Sequence, residues 1–332
     1  MSSRRGTEPI VRCQDLIPVP QALFEFVYGW VRVRYFSLQL GNTAGVGWNL
    51  ARGLSGLGRS SCSVALEPTR QDFPSDFSIY MTAETSRFIR PYRFAKIVRL
   101  ARSSEIVHFH FGLKPFARYL RKVCDAPFFV HYHGSDLREG EATGYRDLAA
   151  GEFFATPDLR AWSPRGVWIP NPVTVPTLDR SKPTRLPIVG HFPTNTSRKG
   201  TDKIVTAVNE VKKRVDFQFV LVSGESHNVA LQKMAQCDVV IDQLTSYGSY
   251  GNVAVEGMLM GKVVLSSVNS SFYDSCPVLS ITGETVADRL VSILESPDQW
   301  GQIGNAGIRY AKAVHDPVHV AQRLLDAYSS KL

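Results

Sequence analysis

The sequence predicts an α/β protein made of two doubly wound, parallel-sheet halves facing one central cleft. Three observations carry this expectation. Short β-branched apolar runs alternate with segments of helical spacing over most of the chain. The alternation breaks once, at Pro170-Asn171-Pro172 and the following Pro176, Pro183 and Pro187. After that connector the same plan starts again, and two open sheets of this kind place ligands at the carboxyl ends of their strands.

The first half reads as strand 31–40, helix 46–57, strand 61–66, helix 93–102, strand 106–111, helix 115–123 and strand 128–132. Gly41 and Gly45 punctuate the first strand and helix. The 93–102 segment is called helical because Phe94, Ile97, Val98 and Ala101 recur at helical spacing behind a polar face. The second half reads as strand 187–191, helix 202–214, strand 217–223, helix 227–235, strand 239–242, helix 253–260 and strand 262–266. Helix 284–294 and a long helical region, 297–331, close the chain. The domain expectation is an extension over 1–30, a Rossmann-like domain over 31–172, a second Rossmann-like domain over 173–312, and a C-terminal helix over 313–332 packing back on the first domain.

With 332 residues, 44% apolar and 20% charged, the chain can bury two cores. The five cysteines are scattered and form no CxxC pair, which argues against a disulfide frame or a thiolate metal site and for a reducing, cytoplasmic setting. No apolar run reaches the roughly 18 to 20 residues of a membrane span. The net charge of +8 is concentrated between Arg87 and Lys122, where ten Lys and Arg residues face one acid, Glu105. That stretch reads either as a solvated helix face or as a docking face for an anionic membrane or acceptor. No recognition motif accompanies the charge, so nucleic acid is not expected as a partner.

Four groups of residues carry candidate chemistry. Gly45 and Gly47 lie in a strand-to-helix turn, where missing Cβ atoms let backbone N–H groups approach an anion; the bland alternative is a tight turn. His108 and His110 form one alternating pair and His131 and His133 another. Four imidazoles could bind a metal, but no carboxylate recurs at ligand spacing, so packing is preferred for His108 and His131 and no metal or other cofactor is expected. His133, followed by the turn Gly134-Ser135-Asp136, stands where a cleft residue belongs, and Asp136 either orients it or caps a helix. Arg198 and Lys199 precede a helix start and could neutralise a leaving diphosphate, or could be a solvated loop. In Tyr250-Gly251-Asn252-Val253, followed by Glu256, a carboxylate one turn into a helix can reach ribose hydroxyls while free N–H groups face a phosphate.

In this order, GNTAGVGWNL, HFHFG, HYHGSDLR, TPDL, WIPNPV, PTNTSRKGTD and YGNVAVEGMLMGKVV resemble the retaining GT-B glycosyltransferases, in particular a bacterial and archaeal branch of the family-four group. The resemblance covers residues 31–332. It implies transfer of a sugar from a UDP- or GDP-linked donor with retention at the anomeric carbon, to a glycan, lipid-linked or other acceptor. It implies His133, Lys199 and Glu256 as catalytic residues, with Gly45, Gly47, Arg198, Tyr250, Gly251, Asn252 and Val253 also at the donor.

Two departures matter. Gly190 is followed by His191 where the family usually has an arginine soon after this glycine, and Gly248 occupies the place of the earlier acid of the family's Glu-x7-Glu pattern. Asp136, His191, Asp242 and Ser249 are therefore candidates for sugar contact. The departures also keep open a silent sugar-nucleotide-binding subunit. The histidine pairs keep open a metal-dependent hydrolase, and a GT-B epimerase is a lesser variant.

Overall fold

Seven parallel strands form the first sheet: β1 (Tyr35–Leu40), β2 (Ser61–Ala65), β3 (Phe77–Ser78), β4 (Ser104–His110), β5 (Phe128–Tyr132), β6 (Gly151–Phe154) and β7 (Val167–Trp168). Their spatial order is β3-β2-β1-β4-β5-β6-β7. Five more, β8 (Ile188–His191), β9 (Gln218–Leu221), β10 (Val239–Ile241), β11 (Val263–Ser266) and β12 (Leu279–Ser280), form a second parallel sheet ordered β12-β11-β10-β8-β9. This computed structural model describes residues 33–68, 72–112, 114–139, 146–178 and 186–332. The extension expected over 1–30 and part of the proline-rich connector lie outside the described residues. Residues Tyr35–Leu332 constitute one compact unit.

Helices cover both sheets: α1 (Val46–Gly56), α2 (Arg90–Arg102), α3 (Ala117–Arg121) and α4 (Ser135–Arg138) in the first lobe, and α5 (Thr201–Val211), α6 (His227–Ala235), α7 (Asn252–Leu259) and α8 (Val286–Leu294) in the second. The sequence predicts one helical region over 297–331. The structure instead has α9 (Trp300–His315) and α10 (Pro317–Ser329), because Asp316 caps the N–H groups of Val318 and His319 and Pro317 opens the new helix. The sequence reading misses β3, β6, β7 and β12. Three of these have only two residues, and β6 follows a stretch rich in Gly and Ala.

Helix α10 belongs to the core of the first lobe. Val320, Leu324 and Tyr328 pack with Leu50 and Leu54 of α1 and with Phe129 and Phe153 of the sheet. A Cβ on Gly53 would come within 2.1 Å of the Pro317 carbonyl oxygen, so only glycine lets the two backbones approach this closely. Phe109, Phe128, Tyr132 and Phe154 fill the opposite face of the same sheet. Each such side chain contributes about 1.5 to 3 kcal/mol by leaving water. Among the described residues no helix is long and apolar enough to cross a membrane.

In both sheets the strand order reverses beside the first strand, between β1 and β4 and between β8 and β10. A cleft opens at the carboxyl ends of strands at such reversals. Gly41 packs there so closely that a Cβ would lie 3.1 Å from the His110 carbonyl oxygen.

Candidate functional site

A cavity of about 480 Å³ lies at these strand ends and is walled by both lobes. The first lobe contributes Gly41, Asn42, Ala44, Phe73, His110 and Lys114; the second contributes Phe192, residues 222–225, His227, Asn252, Val253 and Glu256. This volume suits a small organic ligand.

The loop after β1 is held in an unusual conformation. Gly41, Ala44 and Gly45 all have positive φ, at 93°, 50° and 73°. Ala44 adopts this left-handed conformation despite its Cβ, a strain the surrounding contacts must hold. Asn42 provides them by donating to the Pro74 carbonyl at 2.6 Å and accepting from the Trp48 N–H at 2.9 Å. Gly47 abuts the Gly41 carbonyl, 2.5 Å from where a Cβ would stand. Gly45 and Gly47 thus shape the loop, and its residues Gly41, Asn42 and Ala44 form the wall.

On the opposite wall, α7 begins without a side-chain cap, and its first residues, Asn252 and Val253, face the cavity. Unpaired N–H groups and the helix dipole make such an end attractive to an anion. The Lys199 ammonium sits against the preceding turn, 2.6 Å from a Cβ position on Gly251, and bonds Gln243 and, at 3.4 Å, Asp242. The Glu256 carboxylate reaches the cavity one turn into α7 and accepts from His227 Nε2 at 2.8 Å. Phe73 of the first lobe lies against His227, with ring centroids 4.5 Å apart. Sequence reasoning uses His227 only to start a helix; its neighbour Ser226, an N-cap, was the available signal.

Several predicted contacts lie elsewhere. Tyr250 is buried away from the cavity, its hydroxyl bonded to Tyr310 at 3.1 Å and His315 at 3.0 Å. His191 is fully buried, bonding the Ile241 carbonyl at 2.8 Å and Thr201 at 2.9 Å, which leaves neither ring nitrogen for a sugar. Asp136 accepts from the backbone N–H groups of His133, Gly134 and Leu137, so it fixes its own turn. Asp242 is buried and holds the Gly251 N–H at 2.7 Å and the Ser266 hydroxyl at 3.0 Å. Ser249 donates to Asp158 of the first lobe at 2.6 Å. Arg198 is half exposed and pairs with Glu139 across the cleft at 2.7 Å. Gly248 has φ of 71°, and a Cβ would press on Asn269 at 2.9 Å, so the turn at this position demands glycine.

His133 joins a polar chain between the lobes. Its Nε2 is 3.0 Å from His110 Nδ1, its Nδ1 donates to Asn171 Oδ1 at 3.0 Å, and Asn171 donates to Asn252 Oδ1 at 3.0 Å. Burial pushes the imidazoles of His108, His110, His131 and His133 down from the usual histidine range and keeps them neutral. The sequence reading treats His108 and His131 as satisfied packing residues, yet each has one buried ring nitrogen without a partner among the described residues.

No family model matches the chain, and no curated protein matches it in sequence. Solved structures do resemble it. Anabaena Alr3699/HepE, in complex with UDP and glucose, superposes with a TM-score of 0.62 at 14% identity, covering 89% of this chain and 100% of that one. An alpha-glucosyltransferase in complex with UDP-glucose and DNA containing an abasic site gives 0.65 at 10% identity, with 88% and 98% covered. S. aureus TarM, in complex with Fondaparinux, alpha-GlcNAc-glycerol and UDP, gives 0.54 at 12% identity, with 71% and 57% covered. At these identities the likeness establishes the fold, which is GT-B. The DNA-bound structure leaves the expected exclusion of nucleic acid without support.

Proposed function

We propose that this chain is a glycosyltransferase that moves a sugar from a UDP-linked donor to an acceptor hydroxyl with retention at the anomeric carbon. The observation that carries the reading is the convergence, on one interlobe cavity, of the uncapped start of α7 and the Glu256 carboxylate one turn further on, with the Lys199 ammonium behind them against the Gly251 turn. Glu256 accepts from the ribose hydroxyls, sharing its oxygens with His227. The N–H groups of Asn252 and Val253, with Lys199, hold the diphosphate. Arg198 joins them only by leaving Glu139. His133, held by Asn171, orients the sugar above the Gly41 loop.

In a front-face substitution the bond from the anomeric carbon to the phosphate oxygen breaks as the acceptor oxygen bonds to the same face. The acceptor proton passes to the departing phosphate. Lys199 and the α7 N-terminus stabilise the charge that accumulates there, the kind of preorganised stabilisation that lowers barriers most. UDP in the similar structures supports a uridine donor over the guanosine alternative, and because one of those structures holds DNA, polymers belong in the acceptor screen.

The site also favours a second reading, a nucleotide-sugar-binding subunit without turnover, because Gly248 removes the acid expected at the sugar. A thermal-shift and turnover screen of UDP-, GDP- and ADP-sugars separates the two. Saturation at 100 times Kd stabilises the folded chain by about 2.7 kcal/mol. Stabilisation by a UDP-sugar, lost in Glu256→Ala and accompanied by released UDP, supports the transferase. Stabilisation without release supports the silent subunit, and no stabilisation by any nucleotide sugar overturns the donor site.

A further inference from the structure

We propose that His108, His110 and His131 bind one divalent transition-metal ion of the zinc type, in a closed site beneath the cleft, adjoining the donor pocket that His110 also lines. Adjacent parallel strands bring them together: His110 pairs in register with His131, and His108 stands two residues earlier on β4, so all three rings share one sheet face. One ring nitrogen from each lies within 4.8 Å of the others, and all three residues are buried.

The decisive observation is which nitrogen of each ring its hydrogen bonds leave for a ligand. His131 Nε2 faces the Ile169 carbonyl at 3.0 Å, an acceptor only, so it carries the proton and leaves a lone pair on Nδ1. His110 Nε2 donates to Gln39 Oε1 at 2.8 Å, leaving a lone pair on Nδ1. His108 Nδ1 meets the Tyr328 hydroxyl, which is both donor and acceptor and so accepts the Nδ1 proton in a hydrogen bond when a ligand occupies Nε2. A metal-binding imidazole characteristically has its far N–H held by an oxygen in this way. His108 Nε2 and His131 Nδ1 are buried with no partner, which for a neutral imidazole forfeits a hydrogen bond unless a ligand takes the lone pair.

His110 Nδ1 faces His133 Nε2, whose own proton lies on the side of Asn171, so two lone pairs meet there at 3.0 Å and a cation relieves the conflict. Tetrahedral zinc, with bonds of about 2.0 to 2.1 Å, needs nitrogens about 3.4 Å apart, an inward movement on the order of 1 Å. Three neutral imidazoles without thiolate or carboxylate suit zinc, copper or nickel over calcium or magnesium. The ligands come from two strands, and the oxygens behind them from β1, the Ile169 segment and α10. Metal would therefore fasten α10 to the first sheet.

The full chain, expressed with zinc supplementation, is dialysed against EDTA and its zinc content measured by mass spectrometry. About one ion per chain is expected to remain, since a closed site exchanges slowly. Tyr328→Phe preserves the packing but removes the oxygen behind His108, and zinc affinity is expected to fall about 10- to 100-fold. His108→Gln is expected to abolish retention, whereas His319→Gln, on the exposed face of α10, leaves it at the wild-type level. X-ray absorption of the wild type, which needs no variant to fold, is expected to show about three imidazoles around zinc. Absence of retained zinc, fewer than two imidazoles in the absorption spectrum, or unchanged affinity in a folded Tyr328→Phe or His108→Gln protein would overturn the site.

Discussion

Asp158 is the centre of a buried junction between the lobes, and replacing it tests how the cleft is held. Its Oδ2 accepts from Arg138 Nε at 2.8 Å and Nη2 at 2.6 Å, and its Oδ1 accepts from the Ser249 hydroxyl at 2.6 Å. The side chains of Arg138 and Asp158 are 14% and 7% exposed, so solvent screens the pair little. Asp158→Ala leaves the guanidinium buried without its carboxylate, a loss of about 3 to 5 kcal/mol. Ser249→Ala removes one hydrogen bond to a charged group, about 1.5 to 3 kcal/mol. Because both changes remove the same bond, the double variant is expected to fall short of their sum by about 1.5 kcal/mol or more. Urea unfolding followed by tryptophan fluorescence measures all four proteins. A loss below about 1 kcal/mol for Asp158→Ala, or strict additivity with Ser249→Ala, would refute the claim that this junction is a desolvated, shared contact.

Three further outcomes are expected. His315 is held neutral between the Tyr250 hydroxyl and the Asn171 carbonyl, and burial pushes its imidazole down to about 4 from 6.5. The unfolded chain then binds the extra proton between these values, so stability is full at neutral pH and is lost as pH falls from about 6.5 to 4, by about 3 kcal/mol. His315→Gln should flatten that part of the urea-stability profile. Lys199→Met keeps length but removes the charge at the α7 turn; binding of a nucleoside diphosphate, measured calorimetrically, is expected to weaken about 10- to 100-fold, from the loss of a charge-assisted bond. Finally, Phe88, Tyr92 and Tyr119 are 78%, 58% and 64% exposed within the basic stretch. Vesicles containing anionic lipid are expected to retain the protein at low salt and release it at high salt, and Phe88→Ser with Tyr92→Ser should weaken retention.

The alternation of apolar strands and amphipathic helices made the two doubly wound halves legible, because residues two apart on a strand and three or four apart on a helix face the same way whatever they pack against; the GT-B assignment came from the resemblance of the motifs. That reading placed β5 and α6 residue for residue, and it brought Glu256, Asn252 and Val253 to positions that the structure puts on the cavity wall. Gly41, Gly45 and Gly47 were recognisable as a turn because missing Cβ atoms are visible in a sequence.

Burial and pairing were not visible. Tyr250, His191 and Asp136 have the chemistry of ligand contacts, but only three-dimensional neighbours such as His315, Thr201 and the 133–137 turn consume their polar atoms. His227 and Phe73 carry no motif and meet only because a first-lobe loop crosses to the second lobe. Spacing alone favoured packing over metal for His108 and His131, because no carboxylate recurs at ligand spacing. The oxygens of Gln39, Ile169 and Asn171, drawn from distant parts of the chain, settle which nitrogens of His110, His131 and His133 hold protons and therefore which lone pairs are left.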